Sequence, residues 1–222
     1  MRPSPPPWTA SPAAILTTPG NLSWYLERQT AFLAYLAITA SVVYGLLLST
    51  KLLDVIAHRP ISFALHQDLA AFGLGLAGIH GTLLGLDRTI HFSLADLAVP
   101  FASPYRPLWV GVGQLAFYLT LAIVLSFSAR RRIGQRRWRS LHYVTFMAFV
   151  GSTVHGVLSG TDSATPWAWW IYVGATVAVV FLVTVRLTLS VGGRPADGGP
   201  QGRGASSRAR SIASSTSPGR FV

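Results

Sequence analysis

Four of the six histidines stand in two pairs inside long apolar stretches: His66 with His80, and His142 with His155. An ionisable side chain in such a stretch is costly to bury and marks a functional site by default. The members of the pairs are separated by 14 and 13 residues, which is about 20 Å along a helix at ~1.5 Å per residue. Two helices running in the same direction would set His66 level with His142, and His80 level with His155. No cysteine is present and no acidic cluster flanks the histidines, so zinc and di-iron sites fit poorly. A neutral imidazole is a good axial ligand for haem iron. The spacing suits two stacked flat cofactors, each clamped between one imidazole from each helix.

Two features qualify that geometry. Ala70, Gly73 and Ala77 share a helical stripe with His66 and His80, where a porphyrin edge could approach the backbone. The same glycines also read as small-residue helix packing, since Gly73, Ala77, Gly81 and Gly85 recur every fourth position. A spacing of 13 leaves His142 and His155 about 140° apart on an ideal helix. Either that helix is kinked, with Gly151–Ser152 the expected place, or its two rings reach their partners from different sides. His58 and His91 fall between apolar runs and are read as solvated.

The elements that must position these side chains are membrane spans. Half of the 222 residues are hydrophobic and only 11% are charged, where soluble domains carry about a quarter charged residues. A helix needs about 20 apolar residues to cross the hydrocarbon core. Five stretches free of Asp, Glu, Lys and Arg approach or exceed that length: 30–50, 69–86, 107–129, 140–161 and 163–185. The second is expected to start earlier, near Ile61. Their length and lack of period-2 alternation exclude strands. The fold class expected is an all-α membrane protein, a bundle of five transmembrane helices.

The chain divides into a disordered proline-rich segment over 1–22, a helical domain over 23–190, and a disordered basic tail over 191–222 rich in Gly, Ser and Arg. The N-terminal segment lacks the apolar core of a cleavable signal, so the first helix is expected to act as an uncleaved anchor. If the N-terminus lies outside, 14 cations, Arg130–Arg132 and Arg136 among them, collect on the inner side against 4 on the outer. The positive-inside rule then places the N-terminus out and the C-terminus in, at the plasma membrane. The net charge of +11 does not indicate a nucleic-acid binder, because the cations cluster in loops and tail. With seven acids, mostly isolated, a hydrolase built on paired carboxylates is not expected.

The histidine spacing, with the segments WYLERQTAFLAY at 24–35, DLAVPFASPYRPLW at 96–109, RRWRSLHYVTF at 136–146 and HGVLSGTD at 155–162, resembles the ferric reductase-like transmembrane domain. That superfamily takes in ferric reductases, NADPH oxidases and the haem subunit of the periplasmic methionine sulfoxide reductase system; the likeness, over about 22–190, is to its small free-standing bacterial branch. The resemblance implies two b haems, the inner held by His66 and His142 and the outer by His80 and His155. It also implies electron transfer from a cytoplasmic-side donor to an extracytoplasmic acceptor. Two departures accompany it: the first of the oxidases' six helices has no counterpart, and no G-x-G-x-x-G motif for a dinucleotide is present. Flavin is therefore expected only free or on a partner, with a separate flavoprotein reductase or a quinol as donor. Two other readings stay open: a haem-free transporter or assembly factor using the histidines for metal or protons, and a quinone-linked subunit whose catalytic site is on a partner protein.

Overall fold

The computed structural model describes residues 21–50, 59–86 and 92–192. Seven helices form in this part: α1 (Asn21–Ser49), α2 (Arg59–Leu86), α3 (Leu94–Ala98), α4 (Pro107–Ile133), α5 (Gln135–His142), α6 (Thr145–Ser159) and α7 (Pro166–Gly192). No strand occurs among the described residues. Five spans are long and apolar enough to cross a membrane: Trp24–Ser49, Pro60–Leu86, Pro107–Ile133, Gln135–Ser159 and Pro166–Val191. This is the architecture of a multi-pass, all-helical membrane protein. The second span begins at Pro60 rather than at 69, as expected from the polar but short His66–Asp68 interruption. His58 and His91, the N-terminal segment and most of the basic tail lie outside the described residues.

Proline opens α4 at its first position and α7 at its start, where a missing N–H costs nothing because that donor is unpaired in any helix. The short α3 is set by Ser93, whose hydroxyl accepts from the Asp96 amide while the Asp96 carboxylate accepts back from Ser93. That reciprocal cap holds the Asp96 carboxyl below its usual range, chiefly through the Ser93 hydroxyl. Gln114 and Tyr118 of α4 donate to the last carbonyls of α3 and strap it across the bundle end. The end of α4 is turned by Gly134 at φ +87°, a conformation only glycine adopts readily.

The core gathers where α1, α6 and α7 meet: Tyr35, Val42 and Leu46 pack with Phe149, Tyr172 and Val179. α2 packs along α1 at close range, since a Cβ on Gly73 would stand 3.0 Å from the Ile38 backbone nitrogen. Gly73 is thus a helix-packing glycine rather than a cofactor contact. Phe72, Ile79, Trp170 and Phe181 are exposed on the outside of the bundle, as side chains facing lipid would be.

The fourth span is interrupted between α5 and α6, at 143–144, directly after His142. Gly151 and Ser152, the expected place for a kink, lie inside the continuous helix α6, and the interruption of the span falls earlier. At the break three amides, Tyr143, Val144 and Phe146, bond to carbonyls three residues back. Such 3₁₀ turns advance about 120° per residue against about 100° in an α-helix. Three of them add roughly 60°, which reduces the offset of His142 and His155 from about 140° to about 80°.

Candidate functional site

All four histidines of the two pairs lie in the described bundle, and the fold brings them together two by two. The rings of His66 and His142 have centroids 6.0 Å apart at an interplanar angle of 81°. His80 and His155 line one cavity of about 650 Å³, within the roughly 300–1,000 Å³ of small-molecule and cofactor sites. Among the described residues no group of three or more His, Asp or Glu side chains is placed to hold a metal ion.

Three of the imidazoles are anchored in the same manner. Nδ1 of His66 lies 2.9 Å from the Ser41 carbonyl, Nδ1 of His80 lies 3.1 Å from that of Glu27, and Nδ1 of His155 lies 2.9 Å from that of Trp109. A carbonyl only accepts, so each Nδ1 carries the proton and donates. The lone pair is left on Nε2, free for a metal. Fixing the tautomer through the second nitrogen in this way is how ligating histidines are usually oriented. The Ser41 hydroxyl donates in turn to the His66 carbonyl at 3.0 Å.

Helical carbonyls are normally roofed by the side chain four residues on, because helical side chains lean toward the N-terminus. Four residues after Ser41 stands Gly45, and four after Trp109 stands Gly113. A Cβ on Gly45 would lie 2.9 Å from Cε1 of His66, and one on Gly113 would lie 2.5 Å from Cγ of His155. Each glycine opens the gap through which an imidazole from another helix reaches a backbone carbonyl. Ala31 holds the equivalent place after Glu27 and lines the cavity beside His80.

His142 differs. Its Nδ1 is buried without a partner among the described residues, and so is Nε1 of Trp138. The two rings stack at 5.1 Å with an interplanar angle of 22°. Here an indole face, rather than a carbonyl, orients the imidazole.

A metal held from opposite sides by two imidazole nitrogens at about 2 Å each separates them by about 4 Å, with ring centres roughly 2 Å further apart. The 6.0 Å of His66 and His142 fits such a ligand pair. The Nε2 atoms left free on His66, His80 and His155, the glycine gaps and the cavity that His80 and His155 line would suit a flat metal-bearing cofactor held by these imidazoles.

Polar side chains, Arg28, Thr161 and Asp162 among them, also line the cavity. Arg28 of α1 forms an ion pair with Asp162 in the α6–α7 connection and donates to the Thr161 hydroxyl. Its guanidinium lies 3.6 Å over the Trp24 ring. Both charged side chains are about one-fifth exposed, at 19% and 20%. The only sign of this clamp in the sequence is that Arg28 and Asp162 are charged residues next to apolar runs. Gly81 and Ala77 line the cavity, and Gly85 meets Leu97 of α3, so the small residues of α2 divide between packing and cavity wall.

No curated protein and no solved structure matches the chain. A family model does, over residues 22–162, well over half of the length and including both histidine pairs. The chain therefore belongs to the family described as Domain of unknown function (DUF8596).

Proposed function

We propose that this chain is a dihaem b transmembrane electron-transfer protein of ferric reductase-like type, passing electrons from a cytoplasmic-side donor to an acceptor outside the plasma membrane. The observation that carries the proposal is the pairing itself. His66 faces His142 at 6.0 Å, His80 shares a cavity with His155, and three of the four imidazoles have Nδ1 occupied by a carbonyl. Two ligands per site, rather than three or four, suit a metal that brings its own equatorial ligands. Bound haem would supply one-electron redox chemistry at each level.

The protein's own part is to hold and to exclude. The carbonyl anchors keep His66, His80 and His155 unprotonated at Nε2 and limit their rotation, and the Trp138 ring stacks against His142. The aromatic and aliphatic side chains of α1, α6 and α7 form the buried core of the bundle. The cation balance of 14 against 4 supports the inward direction of the His66–His142 end, since Arg130–Arg132 lie at that end of α4. Donor and acceptor belong to partners or to solution: a separate flavoprotein reductase, free reduced flavin or a quinol on the inside. Enzymatic activity, on this reading, is that of a reductase component.

The test is a dithionite-reduced minus oxidised spectrum of the purified protein, with haem extracted and quantified. A Soret band, visible bands that sharpen on reduction, and close to two haems per chain are expected. A colourless protein after expression with haem supplied overturns the proposal.

A further inference from the structure

At the end of the bundle that carries His66 and His142, the end of α4 and the short α5 are rich in arginine. Arg130, Arg131, Arg132, Arg136, Arg137 and Arg139 fall within ten residues, and no acid stands among them. All but Arg130 are exposed. The Arg28–Asp162 ion pair involves none of them, and the five exposed guanidinium groups have no acid among their own ten residues to neutralise them.

The patch sits on a path of rings. Arg130 lies 4.0 Å over Phe127, Phe127 meets Trp138 edge-on at 6.0 Å, and Trp138 stacks on His142 at 5.1 Å. At about 100° per residue Trp138 and His142 share one face of α5, while Arg136, Arg137 and Arg139 fan over the remainder. The helix therefore shows charge outward and, on its other side, an indole that touches the inner histidine pair. Anionic lipid headgroups would be satisfied by the charge alone. They give no reason for the arginines to be centred on the ring stacked against His142.

We infer that the arginines of 130–139 are the docking face for a soluble electron-donor protein with an acidic surface, set over Trp138 so that the donor's redox group stops next to the His66–His142 site. The inference rests on the electron-transfer reading above and adds the class of donor. Each step would oxidise the donor's reduced flavin by one electron and reduce the group held by His66 and His142 by one.

Direct binding provides the test, with oxidised flavodoxin, an acidic flavin protein, as probe and the full chain in nanodiscs of uncharged lipid. Wild type is expected to bind the probe. Raising salt from about 0.01 M to about 0.15 M shortens the screening length from ~30 Å to ~8 Å and should weaken binding roughly tenfold or more. The triple variant R136Q/R137Q/R139Q should lose a similar factor, and the R136K/R137K/R139K variant should retain binding because charge is kept. In stopped flow, reduction by the reduced probe should slow in the glutamine variant while reduction by dithionite is unchanged. Absence of probe binding to wild type, or equal binding by wild type and glutamine variant, overturns the inference. So does a glutamine variant that keeps its probe binding but loses co-purified anionic lipid, which would assign the arginines to the membrane. Binding is read without the haem bands, so their absence would contradict the electron-transfer reading separately.

Discussion

Two glycines decide whether two histidines can be held. At Gly45 and Gly113 the missing Cβ is what lets His66 and His155 reach the carbonyls of Ser41 and Trp109. Alanine at Gly113 would place a methyl group 2.5 Å from Cγ of His155, an overpacking of the kind that costs about 1–3 kcal/mol when neighbours must shift. Gly113→Ala is expected to lower thermal stability and to reduce haem content toward one per chain. Gly174→Ala serves as control, because nothing lies within 4 Å of a Cβ there. It should be neutral or gain up to about 1 kcal/mol from helix propensity. Equal behaviour of the two variants in melting and haem content would remove the glycine gap from the account. The four histidines were legible from their spacing alone, because an ionisable group in an apolar run stands out. Their anchors were not, since a backbone carbonyl has no letter of its own, and a glycine opposite an imidazole is indistinguishable in sequence from one that packs helices, as Gly73 does.

At the scale of the elements, the hydropathy of five runs translated into five spans because it is a sum over about twenty residues and tolerates local errors. The interruption at 143–144 escaped for the same reason. Tyr143 and Val144 carry neither proline nor glycine, and the tightening after His142 shows only in the carbonyls that their amides choose. The same summation passes over the Arg28–Asp162 clamp, which fastens α1 to the connection between α6 and α7. With each partner about one-fifth exposed, at 19% and 20%, the pair lies between surface bridges of 0–1 kcal/mol and buried ones whose disruption costs 3–5. Arg28→Gln is therefore expected to destabilise the fold by about 2 kcal/mol. In a double-mutant cycle Asp162→Asn should add little once Arg28 is gone. Fully additive losses in chemical or thermal unfolding would show the two residues to act independently.

On the scale of the whole molecule, the proposed conduit is polarised, with His66 and His142 toward the arginine-rich end and His80 and His155 lining the cavity that Arg28 also lines. The polarity is a matter of cation counts rather than of helix packing. It calls for labelling in intact cells: a single cysteine in place of Ser217, in a chain that has none, should stay unreactive toward an impermeant reagent until the membrane is opened. Reaction in intact cells would reverse the direction of electron flow. The central claim, that each redox group needs one imidazole from α2 and one from the α5–α6 span, is reached most directly by haem stoichiometry in four single variants. His66→Ala and His142→Ala should each take haem per chain from near two to near one and remove the same spectral component. His80→Ala and His155→Ala should together remove the other component. A histidine variant that keeps both haems, or a pair whose members remove different components, would contradict the pairing on which the account stands.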